Sequence, residues 1–165
     1  MPSEIEKRFR FDPHHQGDIP LPFRGYTLEQ HYLSLKPQVR IRRKFVTGKI
    51  EESYTITTKK GVGLIREEHE CPISFGVFEG LKSAALGGLL KQRYEFDHLG
   101  RKFFLDIFIG GPLAGKMFIE VEFDSIADAD DFDLIKRDLP WLGEDIMHLK
   151  DYPNYAAAGL ADPNQ

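Results

Sequence analysis

Apolar and polar residues alternate with a period of two along most of this chain, beginning with Glu4-Ile5-Glu6-Lys7-Arg8-Phe9-Arg10-Phe11. Successive side chains of an extended strand point to opposite faces. Glu4, Glu6, Arg8 and Arg10 therefore share one face, and Ile5, Phe9 and Phe11 share the other, with Lys7 the exception. Residues 26–35 read as a further extended piece. Val39-Arg40-Ile41-Arg42 alternates again, and residues 53–60 put Thr55, Thr57 and Lys59 on one face. Residues 65–73 gather Arg66, Glu68 and Glu70, and residues 90–96 gather Lys91, Arg93 and Glu95. Residues 102–109 are hydrophobic around a single acid, Asp106, and residues 116–123 set Met117, Ile119, Val121 and Phe123 against Glu120 and Glu122. Two helices break the pattern. Ser74 is placed to cap one that carries Phe75, Phe78, Leu81 and Lys82 and ends at Gly87-Gly88. Ser125 caps the other, through Ile126, Phe132 and Ile135, before Pro140-Trp141 stops it. The rest of the C-terminal part reads as helical and irregular, with a last Ala-rich turn at 154–160.

About eight strands with one apolar and one charged face predict a mainly β (α+β) fold, an eight-stranded antiparallel β-barrel. Two arrangements satisfy the pattern. The apolar faces can point inward, as in a lipocalin-like carrier, or the charged faces can, with helices packed outside over the apolar ones. The charged faces are nearly pure Arg, Lys and Glu, which favours a tunnel with a charged interior. Buried charges must be paired or liganded. Such an interior suits a polyanion held by Arg and Lys, with carboxylates holding the divalent metals it brings. Glu4 and Glu6 lie about 7 Å apart along their strand, close enough to share hard cations.

Composition narrows the classes. The 165 residues suit one domain spanning 1–165, with 41% hydrophobic residues, including 13 Phe, to fill its core. A formal net charge of −4 argues against a general nucleic-acid binder. Cys71 stands alone, which excludes an intrachain disulfide and a Cys-rich zinc site. No apolar run reaches membrane-spanning length and the first residues are charged, so the expectation is a cytoplasmic protein with no membrane partner. His14 and His15 read as a solvated loop pair. Gly110-Gly111-Pro112-Leu113-Ala114-Gly115-Lys116 fits seven positions of a phosphate-binding P-loop, but Met117 stands where Ser or Thr must ligate magnesium, and a strand follows in place of a helix. That segment is read as a hairpin turn.

Glu4-x-Glu6-x-Arg8 resembles the ExExK signature of the CYTH domain, or triphosphate tunnel metalloenzymes. Further pieces follow in the family's order: Tyr32-Leu33-Ser34, Val39-Arg40-Ile41-Arg42, Thr57-Thr58-Lys59, Arg66-x-Glu68-x-Glu70, Lys91-Gln92-Arg93-Tyr94, Leu105-Asp106-Ile107-Phe108, Glu120-Val121-Glu122-Phe123, Trp141-Leu142-Gly143-Glu144 and Tyr152-Pro153-Asn154. The likeness is to short single-domain bacterial members. It implies an eight-stranded tunnel that binds a triphosphate and cleaves it with Mg2+ or Mn2+. Carried over by position, Glu4, Glu6, Glu120 and Glu122 form the metal group, and Glu68, Glu70 and Asp106 are further tunnel acids. Arg8, Arg40, Arg42, Lys59, Arg66, Lys91 and Arg93 form the phosphate clamp, with Glu4, Glu6, Arg8, Lys59 and Glu122 at the centre of catalysis. Two positions depart from the pattern: Arg8 replaces Lys, and Phe104 stands where many relatives carry another acid. The implied activity is hydrolysis of tripolyphosphate, or of a nucleoside triphosphate, with release of orthophosphate. The alternatives are a class IV-type adenylate cyclase acting on ATP and a non-catalytic polyphosphate-binding module. The apolar outer faces can support a homodimer.

Overall fold

The structure, a computed structural model, describes residues 3–20, 23–61, 63–149 and 152–159. Residues 1–2, 21–22, 62, 150–151 and 160–165, which the single-domain expectation and the end of the predicted final turn include, lie outside them. Among the described residues nine strands and three α-helices follow in the order β1 (Ser3–Phe11), β2 (Phe23–Leu35), β3 (Gln38–Phe45), β4 (Glu52–Lys60), β5 (Ile65–Pro72), α1 (Phe75–Lys82), β6 (Gly87–His98), β7 (Arg101–Gly110), β8 (Met117–Glu122), α2 (Ile126–Ile135), β9 (Leu142–Asp145) and α3 (Tyr152–Ala157). The sheet order is β5-β4-β3-β2-β6-β7-β8-β1, and a β1–β5 pairing closes it into an eight-stranded antiparallel barrel. Closure removes the sheet edges that would otherwise present unpaired backbone groups.

β1 is the seam. On one side it pairs with β8, setting Glu6 opposite Glu122 and Arg8 opposite Glu120. On the other side only Ser3, Glu4 and Ile5 pair with β5. Farther along, Phe9 and Phe11 pair with Asp145 and Leu142 of β9. The sequence pattern does not disclose β9: four residues, Leu142-Gly143-Glu144-Asp145, carry no alternation. The strand forms because β1 outruns β5, and its exposed backbone donors and acceptors need partners.

The charged faces point inward, which excludes the lipocalin-like arrangement. The apolar faces point outward and pack under the helices. Phe9, Phe103, Ile119 and Val121 are buried on the outside of β1, β7 and β8, where Phe132 and Ala129 of α2 and Trp141 cover them. Lys7 departs from the apolar face because its ammonium reaches Asp133 of α2 at 2.7 Å. On the opposite wall Phe78 of α1 is buried against His31 and Tyr54. Ser74 and Ser125 cap α1 and α2 through their hydroxyls, as the sequence predicts. The Gly110–Lys116 segment is the β7–β8 turn. Its Leu113 is buried with Tyr32, Phe108, Phe118, Ile146 and Ala157, an apolar cluster that stops one end of the barrel.

Gly87-Gly88 does not end α1. The helix stops at Lys82, and both glycines lie in β6. Their role is close approach. A Cβ on Gly87 would stand 1.9 Å from the Ala157 carbonyl oxygen, and one on Gly88 would stand 2.5 Å from His31 Nδ1. Gly87→Ala should therefore dislodge α3 and lower the melting temperature by roughly 2–12 °C, since overpacking costs about 1–3 kcal/mol and each kcal/mol is worth about 2–4 °C at this size. Thermal unfolding followed by circular dichroism measures this, and an unchanged midpoint would mean that α3 is not seated on β6.

A charged tunnel as the candidate active site

Strand parity sends side chains from all eight barrel strands into a cavity of about 210 Å³. Seven cations line it (Arg8, Arg40, Arg42, Lys59, Arg66, Lys91 and Arg93), together with seven carboxylates (Glu4, Glu6, Glu68, Glu70, Asp106, Glu120 and Glu122). Every site residue inferred from the sequence is thus in one place. Arg10, which shares their face on β1, is not: it lies beyond the cavity and pairs with Glu144 at 3.2 Å.

The charges are not evenly mixed. Asp106 is 1% exposed on β7. It accepts a fork from Arg93, Nε to Oδ1 at 2.6 Å and Nη2 to Oδ2 at 2.7 Å, and a third bond from Lys91 Nζ at 2.7 Å. Burial alone would raise the Asp106 carboxyl, but Arg93 and Lys91 outweigh it and hold the group below its ordinary value. The same burial, with Arg93 alongside, pushes the Lys91 ammonium down to about 7. Glu120 is gripped on both oxygens, by Arg8 Nη2 at 2.5 Å and Arg93 Nη2 at 3.1 Å. Lys59 bridges two strands, meeting Glu4 at 2.8 Å and Glu68 at 3.2 Å.

The β3 wall is different. Arg42 donates Nε and Nη2 to a neutral acceptor, Gln30 Oε1, at 2.8 and 2.5 Å. Gln30 in turn donates to the Tyr32 hydroxyl at 3.0 Å. Arg40 Nε is buried and makes no hydrogen bond among the described residues. Burial, then Arg40, then Arg93 push the Arg42 guanidinium down to about 9. A guanidinium at that value is still charged at neutral pH, so the depression reflects burial first and crowding by like charge second, both of which a bound anion would offset. Neither Arg40 nor Arg42 makes a salt bridge among the described residues, and their nearest countercharges, Glu68 for Arg40 and Glu70 for Arg42, act from farther away.

The mouth at the opposite corner has the reverse surplus. Glu122 lies across β1–β8 from Glu6, and its other lateral neighbour, Lys102, is turned to Glu95 at 3.0 Å. Burial and then the charges of Glu120, Glu4 and Glu6 push the Glu122 carboxyl up to about 7. Among the described residues no three such groups are already gathered into a closed metal cluster. In kind the set still fits a hard divalent cation: carboxylate oxygens from two adjacent strands, with enough mutual repulsion to hold a proton near neutrality.

Several cavity residues escape the sequence reading. Phe118 shares the parity of Glu120 and Glu122, and Gln30 and Tyr32 share a face of β2, so parity could have found them. Gln38 accepts from Arg66 at 3.4 Å and from Asn154 of α3 at 3.0 Å, and Asn154, on a helix, carries no periodic signal. Phe104, noted as a departure, lies under the Arg93 guanidinium at 4.6 Å, a cation–π contact that helps aim the fork at Asp106.

The Glu122 shift has a consequence for pH. Its carboxyl rises from 4.5 to about 7 on folding. The folded state then holds the proton more tightly than the unfolded chain, and stability falls as pH rises through that window. With chelator present, the melting temperature of the wild type should drop more steeply between those two pH values than that of Glu122→Gln. Parallel slopes would show that the carboxyl is not displaced.

No family model matches the chain. An inorganic triphosphatase of Nitrosomonas europaea is 31% identical over 161 residues, covering 94% of this chain and 97% of the relative. A crystal structure of an inorganic triphosphatase superposes with a TM-score of 0.63 at 30% identity, covering 99% of this chain and 98% of that one. A Hippeastrum protein assigned as an adenylyl cyclase, and described as having a dominant triphosphatase activity, superposes with a TM-score of 0.60 over 98% of this chain and 99% of its own. At 15% identity that likeness is one of fold.

Proposed function

The chain belongs to the CYTH, or triphosphate tunnel metalloenzyme, family, and from that premise we propose that it hydrolyses inorganic tripolyphosphate with the help of Mg2+ or Mn2+. One observation carries the reading: a wall of guanidinium groups that make no salt bridge among the described residues, Arg40 and Arg42, faces a wall of mutually repelling carboxylates inside one cavity. A polyanion neutralises the first and its metal ions the second.

Phosphoryl transfer asks little covalent chemistry of the protein. It needs an in-line water, neutralised oxygens and a stabilised leaving group. Arg40 and Arg42 present guanidinium donors to phosphate oxygens, while Arg93, whose Nε and Nη2 are committed to Asp106 and Glu120, adds its charge beside the point charges of Lys59 and Lys91. Arg66, fixed by Gln38, adds a further fork. Glu4, Glu6, Glu120 and Glu122 would hold the divalent metal, with Glu68, Glu70 and Asp106 as supporting acids. A divalent metal held there would neutralise phosphate charge and lower the pKa of the attacking water. Water adds to the terminal phosphorus as its bond to the bridging oxygen breaks. Diphosphate and orthophosphate leave, and one proton passes to solvent. Arg8, tied to Glu120 and adjacent to Glu6, stands between the carboxylates and the clamp.

A screen of tripolyphosphate and ATP with each metal tests the proposal. Orthophosphate should appear from tripolyphosphate, and excess chelator should abolish it. Cyclic AMP as the main product from ATP would make the protein a cyclase, and binding without turnover would make it a carrier. Glu6→Gln should cut turnover about 10²-fold, the scale of losing one preorganised electrostatic group. Arg40→Met should separate binding from folding. Tripolyphosphate affinity should fall by roughly 1.5–3 kcal/mol, the scale of a charged hydrogen bond. The melting temperature should hold or rise, because a guanidinium with an unmet buried donor is removed. A variant that binds normally would place Arg40 outside the clamp.

A further inference from the structure

Arg42 and Arg93 are gripped in the same way by unlike partners. Arg93 gives Nε and Nη2 to the carboxylate of Asp106 at 2.6 and 2.7 Å. Arg42 gives the same two groups to the amide oxygen of Gln30 at 2.8 and 2.5 Å. A carboxylate aims a guanidinium and also neutralises it, whereas an amide oxygen aims it and leaves its charge whole. Gln30 is 1% exposed and lies directly across β2–β3 from Arg42. Its amide is held at both ends, because Nε2 donates to the Tyr32 hydroxyl at 3.0 Å while the oxygen takes the two guanidinium donors. Turned over, the amide would set its N–H groups against those donors. The strand that carries it is unlike the others. β2 lies between β3 and β6, which bring Arg40, Arg42, Lys91 and Arg93 to the cavity. Among the described residues β2 alone of the eight barrel strands brings no charged side chain there, only Tyr26, Gln30 and Tyr32.

We propose that Gln30 is a positioning residue for triphosphate binding, which fixes the plane of the Arg42 guanidinium and leaves its charge without a salt bridge until a phosphate oxygen supplies one. The inference rests on the tunnel being the triphosphate site. Nε and Nη2 are occupied, and Nη1 makes no hydrogen bond among the described residues, so the guanidinium has a donor left for the ligand. A side chain already locked in its binding geometry loses little freedom when the anion arrives. A carboxylate at position 30 would hold the same geometry but form an internal ion pair, which the anion would then have to displace. Burial and the neighbouring Arg40 and Arg93 already make the Arg42 charge costly, and an amide partner leaves that cost for the ligand to relieve.

Gln30→Glu and Gln30→Met test the two halves of this role, with Gln30→Met made also in an Arg42→Met background. Tripolyphosphate affinity is measured by calorimetry in excess chelator, and kcat and KM with metal, beside the melting temperature. Gln30→Glu keeps the shape and the acceptor. It should hold or raise the melting temperature, weaken tripolyphosphate binding about tenfold and raise KM by a similar factor. The kcat should stay within about threefold, because a grip common to ground and transition states moves KM alone. A glutamine with a merely structural role would leave binding unmoved while the fold holds, so an unchanged affinity and KM overturns the proposal. Gln30→Met removes the acceptor without adding charge. Affinity should fall about tenfold when Arg42 is present and less than about twofold in the Arg42→Met background. An equal loss in both backgrounds overturns the proposal, because Gln30 then acts otherwise than through Arg42. A wild type that binds tripolyphosphate without cleaving it overturns the function instead, and the calorimetry still decides Gln30. One that neither binds nor cleaves overturns both.

Discussion

An ionised group taken out of water has to meet its opposite, and the barrel is built around that requirement. Asp106 and Glu120 on neighbouring strands are held by Arg93, Lys91 and Arg8 in one continuous network of buried ion pairs. Such a network is weak evidence of net stability, because desolvation offsets most of the attraction. Losing one member is a different matter, since it leaves an uncompensated charge inside. The network therefore fixes the register of β1, β6, β7 and β8 and the aim of the side chains beside it. Its two anions are already satisfied, so the strain of like charge collects elsewhere, on the β3 guanidinium groups and at the Glu122 corner.

An interior made of charge leaves no room for a hydrophobic core there, so the core had to move outside. That is why α2 and Trp141 matter. They convert the outer faces of β1, β7 and β8 into a buried cluster in which Phe103, Phe132 and Ile119 are fully enclosed. The second cluster, built from Leu113 of the β7–β8 turn, Ala157 of α3 and the last inward residues of several strands, stops one end of the tunnel. A turn that imitates a phosphate loop in its sequence thus serves packing, while the phosphate chemistry proposed here belongs to strand side chains.

On the proposed function, the internal pairs are placeholders. Lys59 holds Glu4, and Arg8 holds Glu120. Metal and triphosphate offer each member a stronger partner of the right sign, cation to phosphate and carboxylate to metal, so binding exchanges pairs without stranding a charge. Arg40 and Arg42 have no such salt bridge to give up among the described residues. They are the groups for which the ligand relieves the most, and they face it from the wall opposite the carboxylates.

Strand parity alone determined which residues share the tunnel, because a side-chain period of two leaves no freedom once one face is inside. Arg40 with Arg42, Glu120 with Glu122, and Lys91 with Arg93 were legible in that way, and the near absence of neutral polar residues on those faces told which face was inside. Serine caps announced α1 and α2 for an equally local reason. What the sequence left open is whatever depends on a partner distant along the chain. β9 exists because β1 outruns β5. Gly87 and Gly88 are glycines because Ala157 and His31 press on them, and read locally they imitate a helix end. Asn154 reaches the tunnel only because α3 docks over it. The distribution of charge was tertiary too. The sequence supplies seven cations and seven carboxylates to the cavity, but only closure of the barrel pairs Arg93 with Asp106 and leaves Arg40 without a salt bridge among the described residues, since who neutralises whom is set by distance across strands and not by order along them.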